Sequence, residues 1–194
     1  MARIAVIGAG NIGGTLGEAW TRAGHEVTFG VRDPDGRDGR EGRFATPQAA
    51  VADAGIVLFA VPGSVADATV RALEPSLHGK VILDATNRIG TPTACCQVLQ
   101  DLASDHMPVY RAFNSLGWET FHDPHYGDEV ADLFYSGPDG PARAQVEGLI
   151  SDVGLRPIYV GTDPSVVDGA LRLWFALVAN QKVGRRIALK VLTR

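Results

Sequence analysis

Three glycines near the N-terminus constrain this chain more than any other feature. Residues 2–7 are apolar and rich in β-formers, and a helical pattern runs from the glycines to about Ala23. Gly8, Gly10 and Gly13 stand between them in the G-x-G-x-x-G spacing. In such a motif the first glycine permits the tight turn, the second lets the backbone approach a pyrophosphate, and the third allows close helix packing. The N–H groups at the helix N-terminus favour anions. The sequence therefore predicts a dinucleotide-binding unit.

The second predicted strand, His25–Gly30, indicates which dinucleotide is bound. No acidic residue stands at its end to accept from a ribose 2′-OH, and Arg32 follows instead. We expect Gly30 to leave room for a 2′-phosphate and Arg32 to fork onto it. A charge-assisted hydrogen bond of about 1.5–3 kcal/mol favours NADP over NAD by about tenfold to a hundredfold. Asp33 supports the opposite reading, NAD, if the strand ends later.

Composition bounds the class of protein. The 194 residues suit one α/β domain, and a net charge of −4 gives no footprint for nucleic acid. No apolar stretch approaches the roughly 18 residues of a membrane span. The adjacent Cys95 and Cys96 read as buried thiols of a reducing, cytoplasmic protein. His122 and His125 form a weak metal motif, so no metal site is predicted.

Strands and helices alternate along the chain, which predicts an α/β, Rossmann-type, doubly wound, mostly parallel sheet with a C-terminal helical segment. We expect a single domain over 1–194, with a dinucleotide-binding core at 1–113. The part at 114–194 is expected to complete an acceptor pocket and to be helical from Pro164 to the end. Residues 170–178 are apolar nearly all round, so they are buried either in a homodimer interface, which we favour, or across the sheet of the monomer.

Ligands in such sheets bind outside the carboxyl ends of the strands. Four loops therefore form one candidate crevice: 8–13, 30–33, 61–64 and 85–90. The segment 31–43 reads mainly as a solvated loop, although Arg37, Arg40 and Arg43 are further candidates for the 2′-phosphate. Arg88 is a candidate for an anionic substrate.

Six segments together resemble the NADP oxidoreductase family that includes the F420H2:NADP reductases. They are IAVIGAGNIG (4–13), GVR (30–32), AVPG (60–63), DATN (84–87), AFNSLGW (112–118) and GRRIALKVL (184–192). The resemblance covers nearly the whole chain. It implies a Rossmann domain with a compact C-terminal part, NADP across the glycine turn, and the deazaflavin coenzyme F420 against the nicotinamide.

The resemblance also implies roles for individual residues. The pyrophosphate is held by Gly8, Ala9, Gly10, Asn11 and Ile12. Val31 and Arg32 face the 2′-phosphate, Val61 and Pro62 flank the cofactor, and Asn87 lies near the nicotinamide. The chain departs from archaeal F420-dependent members, which typically have Thr at the position of Ala9, Ser at Val31 and His at about Asn114.

Hydride transfer between two planar cofactors needs little acid–base machinery, so no catalytic side chain is predicted. We expect Asn114 and Trp118 to contact the acceptor; in the alternative, Trp118 belongs to the core and Asn114 caps a turn. The favoured function is hydride transfer between NADP(H) and an F420-type acceptor. Alternatives are an NADPH-dependent reductase of a flavin, quinone or imine, and a non-enzymatic NADPH-binding redox sensor.

Overall fold

The computed structural model describes residues 1–35, 41–88, 90 and 95–194. The strands are β1 (Arg3–Ile7), β2 (Glu26–Gly30), β3 (Arg43–Ala45), β4 (Ile56–Phe59), β5 (Val81–Asp84), β6 (Val109–Arg111), β7 (His125–Tyr126), β8 (Glu129–Val130), β9 (Asp132–Tyr135) and β10 (Arg156–Tyr159). The helices are α1 (Asn11–Arg22), α2 (Pro47–Ala52), α3 (Gly63–Leu73), α4 (Gln97–Leu102), α5 (Trp118–His122), α6 (Ala142–Asp152) and α7 (Pro164–Phe175).

Six parallel strands form the main sheet in the order β3-β2-β1-β4-β5-β6. The chain starts in the middle at β1, winds outward through β2 and β3, and then crosses to β4. The direction of winding reverses between β1 and β4, and ligands of such sheets bind at this switch point. The predicted Rossmann-type fold is confirmed.

Apolar side chains cover both faces of the sheet. One buried cluster includes Trp20 of α1 and Leu149 of α6, and the other includes Val51 of α2, Val70 of α3 and Leu99 of α4. The Trp20 indole N–H donates to the Leu149 carbonyl oxygen at 2.9 Å, which joins α1 to α6 across a long sequence separation. The central strands β1, β4 and β5 read as largely apolar runs because both of their faces are buried.

Local signals set the starts of two helices. The Thr46 side chain accepts from the Ala49 N–H and Pro47 opens α2, as the sequence predicts. A serine after Pro62 and Gly63 predicts a helix capped by Ser64. This prediction is wrong, because α3 begins at Gly63 with Pro62 as its N-cap, and Ser64 is already the second residue of the helix.

The C-terminal region differs from the prediction. Helix α7 ends at Phe175, a π-helical turn covers Ala176–Asn180, and residues 181–194 have no regular structure. Lys182 and Gly184 have φ of 54° and 100°, conformations that stop a right-handed helix. The expectation of a helix to the end is wrong.

The apolar stretch 170–178 is only partly covered by the rest of the chain. Leu171 and Trp174 are buried, whereas Leu173 is 47% exposed and Phe175 to Val178 are half-buried. One face of α7 thus packs on the body of the protein and the other face does not. Full burial within the monomer is excluded.

Three further findings complete the fold. The sequence did not predict the short β3 or the β7–β8 hairpin, and β9 and β10 pair in a small parallel sheet of their own. Cys95 and Cys96 are buried and unpaired, and burial raises the pKa of the Cys96 thiol to about 12. Within the part of the chain that is described, no helix is both long and apolar enough to cross a bilayer.

Candidate functional site

The glycine turn lies at the switch point of the sheet, and close backbone packing explains two of its glycines. Gly8 has a φ of +102°, and a Cβ there would lie 2.7 Å from the Ala60 carbonyl oxygen. A Cβ on Gly13 would lie 1.9 Å from the Gly8 carbonyl oxygen. The turn after β1 is therefore pressed against the loop after β4, and no side chain fits between them.

Gly10 is different, because a Cβ there would have no atom within 4 Å. It is exposed and is the N-cap of α1, with no side-chain cap and no acidic residue in the first turn. The first N–H groups of α1, which carry the positive end of the helix dipole, thus lie beside the open space at Gly10. This cradle fits a pyrophosphate, and it contains the predicted Ala9, Asn11 and Ile12.

The end of β2 presents a cation, as predicted. Val31 is buried, and its N–H donates to the Ala45 carbonyl oxygen at 2.9 Å, so the position of the backbone is fixed. Arg32 follows and is exposed. Gly30 serves packing: a Cβ there would lie 2.7 Å from Ile7 Cδ1, so the space left by its missing side chain is filled by the protein itself.

The other predicted arginines do not extend this site in the described residues. Arg43 opens β3 opposite Thr28, two residues before the carboxyl end, and lines a separate cavity with Arg3 and His25. Arg37 and Arg40 lie outside the described residues.

The loops after β4 and β5 are packed together. A Cβ on Gly63 would lie 2.6 Å from the Asn87 carbonyl oxygen. Arg88 donates to the Gly63 carbonyl oxygen at 3.3 Å and pairs with Asp67 at 2.5 Å. The hydrogen bond from Arg88 to Asp67 holds the pKa of Asp67 below its usual value. The predicted Val61, Pro62 and Asn87 are thereby brought to one edge of the sheet. Residue 89 of the predicted 85–90 loop is outside the described residues.

A buried polar network, which the sequence did not predict, lies under this edge. Arg111 in β6 is fully buried; its Nε donates to Asp168 of α7 at 2.7 Å, and its Nη1 donates to Asp84 of β5 at 3.1 Å. Nη1 also donates to the Thr86 carbonyl oxygen at 2.9 Å, and Nη2 to Asn87 Oδ1 at 3.2 Å. The network therefore ties α7 and the loop after β5 to the end of β6. A charged residue inside an apolar strand, in PVYRAF, was the signal available in the sequence.

Asn114 joins the same network. The preceding Phe113 has a φ of +67°, an unfavourable conformation for a bulky residue, while its ring packs edge-on against Trp20 and Phe121. This turn directs Asn114 Nδ2 to the Thr86 carbonyl oxygen at 3.1 Å and to Asn87 Oδ1 at 3.2 Å. Among the described residues nothing donates to Asn114 Oδ1, which is buried.

Trp118 opens α5 and is half-buried. It packs against the core and lines a surface cavity of about 570 Å³ together with Glu119, His122, Asp123 and Arg186. Burial alone would raise the pKa of Glu119, but the hydrogen bond from Arg185 at 2.6 Å, a backbone hydrogen bond and the charges of Arg185 and Arg186 together outweigh it and lower the pKa. Trp118 thus takes part in both the core and a surface cavity.

Metal chemistry has no visible support in the described residues, since they contain no group of three or more His, Cys, Asp or Glu arranged around a point. His122 ends α5 and His125 opens β7.

Comparison with known proteins identifies the class. The model of the family described as NADP oxidoreductase, coenzyme F420-dependent, matches residues 3–88, which contain the glycine turn, Arg32, the loop after β4 and Asn87. The resemblance inferred from the sequence is confirmed, and the protein is by class an NADP-dependent oxidoreductase. No match was found among curated proteins.

Solved structures agree in fold. A candidate F420-dependent NADP reductase from Arthrobacter sp. FB24 superposes over 100% of both chains, with a TM-score of 0.83 and 23% identity. A protein of unassigned function from Sinorhizobium meliloti has 27% identity and a TM-score of 0.70 over 100% of this chain and 97% of its own. A reductive aminase from Aspergillus terreus, solved with NADPH and ethyl levulinate, has 25% identity and a TM-score of 0.74 over 94% of this chain and 63% of its own.

Proposed function

We propose that the protein transfers a hydride between NADP(H) and a deazaflavin acceptor of the coenzyme F420 type. The observation that carries the proposal is the glycine turn, in which Gly8 and Gly13 leave no space for a side chain while Gly10 faces an open, uncapped helix end. Bound NADP(H) supplies or accepts the hydride. The chain's own residues bind, orient and exclude water.

NADP(H) is held along the carboxyl edge of the sheet. The turn at Gly8 to Ile12 holds the pyrophosphate through the N–H groups at the start of α1, since the Gly8 N–H already donates to the Gly30 carbonyl oxygen at 3.1 Å. Val31 and Arg32 hold the 2′-phosphate, and Val61, Pro62 and Asn87 contact the cofactor towards its nicotinamide end. The burial of Val31 and the exposure of Arg32 suit these roles, because Val31 fixes the backbone and the charged side chain of Arg32 is accessible beside it.

The acceptor is held by the part of the chain at 114–194. Asn114 and Trp118 lie after β6, and helix α7 is anchored beneath them through the Asp168–Arg111 ion pair. Neither residue supplies a proton. Their roles are to hydrogen-bond the acceptor and to wall its pocket, which suits a reaction whose requirements are proximity and dryness.

Reduction of an imine is the second candidate. The reductive aminase from Aspergillus terreus binds NADPH and has the same fold over most of this chain. Asn114, at about the position of a histidine in F420-dependent relatives, favours an acceptor other than F420.

A panel of oxidants tests these functions against each other. Oxidation of NADPH by the pure protein is followed at 340 nm with F420, FMN, FAD, a quinone and a cyclic imine, and NADH replaces NADPH in a parallel set. Turnover with F420 alone supports the proposal, and turnover with the imine alone supports the second candidate. Tight NADPH binding without turnover of any oxidant would indicate a redox sensor and contradict both.

Two further features belong to the proposal. The exposed Leu173 and the half-buried residues that follow it suit the interface of a homodimer. The buried, unpaired Cys95 and Cys96 suit a reducing cytoplasm.

A further inference from the structure

The orientation of two asparagine amides carries a further inference, which rests on the proposed binding of NADP(H). Arg111 has only donors, and its Nη2 points at Asn87. The atom of Asn87 that faces Arg111 is therefore the acceptor Oδ1, and its Nδ2 points away. Buried Asp84 and Asp168 hold the guanidinium of Arg111 in place, and the guanidinium in turn fixes the orientation of the Asn87 amide.

The orientation of Asn114 follows from that of Asn87. Asn114 faces two acceptors, the Thr86 carbonyl oxygen at 3.1 Å and Asn87 Oδ1 at 3.2 Å. Only an NH₂ group satisfies both, and it uses its two hydrogens to do so. A flipped Asn114 would place three acceptor oxygens against one another. Oδ1 of Asn114 is therefore the atom left over, and it is buried and without a partner in the described part of the chain.

The two amides together leave one donor and one acceptor. Asn87 Nδ2 has only a long contact of 3.5 Å to the Asn114 carbonyl oxygen, and Asn87 is half-buried. Asn114 Oδ1 has no donor. A donor beside an acceptor is the complement of a primary carboxamide, whose carbonyl oxygen accepts and whose NH₂ donates.

We propose that Asn87 and Asn114 read the carboxamide of the nicotinamide, and that Arg111 is the positioning residue that sets the orientation of both amides. Asn87 Nδ2 donates to the carboxamide oxygen. Asn114 Oδ1 accepts from the carboxamide nitrogen with one lone pair and keeps the other for the acceptor. A buried acceptor that lacks a partner in the free protein gains one on binding, which favours ligands that bring an N–H group.

An analogue of NADP⁺ separates the two contacts. The 3-acetylpyridine analogue keeps the ring carbonyl but has a methyl group in place of the NH₂. The wild-type protein should bind NADP⁺ about fivefold more tightly than this analogue, the value of one hydrogen bond. Asn114→Ala should abolish this preference by weakening NADP⁺ alone. Asn87→Ala should weaken both ligands by a similar factor. It should keep the preference, because the Thr86 carbonyl oxygen still orients Asn114 and no flipped Asn87 amide competes with it.

The controls separate this inference from the proposed function. Binding of 2′,5′-ADP, which has no nicotinamide, should be the same in all variants. Ser115→Ala, which removes a neighbouring buried hydroxyl that also lacks a partner, should keep the preference. If 2′,5′-ADP binds but Asn114→Ala keeps the preference, the inference is overturned and the NADP site stands. If neither 2′,5′-ADP nor NADP⁺ binds the wild type, both are overturned.

Arg111→Lys tests the positioning role. Lysine cannot fork between Asp168, Asp84 and Asn87, so the amides lose their fixed orientation and the preference for NADP⁺ should fall as in Asn114→Ala. The double variant should show no further loss. Should Arg111→Lys fail to fold, Asp168→Asn replaces the charged partner of Arg111 Nε with a neutral amide and should reduce the preference. Retention of the full preference in a folded Arg111→Lys or Asp168→Asn protein would refute the positioning role.

Discussion

Replacing Arg32 with alanine should abolish the preference of this protein for NADPH over NADH. Arg32 is exposed, and the hydrogen bond from the adjacent Val31 to Ala45 fixes the backbone from which its guanidinium extends. A charge-assisted hydrogen bond contributes about 1.5–3 kcal/mol. Because Arg32 is exposed, we expect the lower end of this range, which corresponds to a difference of about tenfold between the dissociation constants of NADPH and NADH. Titration with both cofactors, followed by nicotinamide fluorescence, measures this ratio. The preference should also shrink from 0.1 M to 1 M salt, as the screening length falls from about 10 Å to about 3 Å.

Arg22 provides a matched control for this variant. It is an exposed arginine at the last residue of α1, a helix of 12 residues and therefore about 18 Å long, so it lies far from the glycine turn. Arg22→Ala should leave both dissociation constants unchanged. The assignment of Arg32 would be refuted by a wild-type preference for NADH, which would favour Asp33 on a ribose hydroxyl. An equal loss of NADPH and NADH binding in Arg32→Ala would refute it too.

Three other outcomes are expected. Gly10→Ala should change the free energy of unfolding by less than about 0.5 kcal/mol, because the added Cβ meets no other atom. The same variant should weaken NADPH binding at least about tenfold, because the methyl group fills the pyrophosphate cradle. Gly13→Ala should lose stability as well. Trp118→Ala should raise the KM for the acceptor or lower kcat while NADPH affinity stays nearly constant, and unchanged turnover with every accepted oxidant would assign Trp118 to the core alone. Light scattering at micromolar concentration should give the mass of a dimer, and a Leu173→Glu variant, altered on the exposed face of α7, should give a monomer.

The order of the main elements could be predicted from the sequence because each carries a local signal. The strands at 56–59 and 81–84 are short runs of large apolar residues, and Thr46-Pro47 marks a helix start through its own hydrogen bond. The glycine turn is likewise local, since its spacing alone implies close backbone packing. Strand β3 has no such signal, because three residues show no period and only pairing with β2 defines them.

The polar network could not be predicted because its partners are distant along the chain. Arg111 and Asp168 are 57 residues apart, and each interrupts an apolar segment. Two buried opposite charges compensate each other only in the folded protein, since either alone would be costly. Gly30 was misinterpreted for the same reason. Its lack of a side chain predicted space for a 2′-phosphate, whereas distant parts of the chain, Ile7 and Pro47, occupy that space in the fold.

The C-terminal tail should contribute stability that disappears in acid, through Asp132. This fully buried carboxylate accepts from Arg156 at 2.6 Å and from the Val191 N–H at 2.7 Å. Burial alone would raise the pKa of Asp132, but these hydrogen bonds and the charges of Arg156 and Lys190 together outweigh it and lower the pKa below its usual value. The stabilisation is therefore complete well above pH 4 and is lost as the pH falls below it.

Asp132→Asn should cost about 1–3 kcal/mol in urea unfolding at pH 7, the value of hydrogen bonds to a charged group, and clearly less at pH 3. Glu129→Gln is the matched control, because this carboxylate pairs with Lys190 of the same tail at 2.8 Å but is 61% exposed, and such pairs contribute little. An equal cost for Asp132→Asn at both pH values would show that its packing, and not its charge, holds the tail.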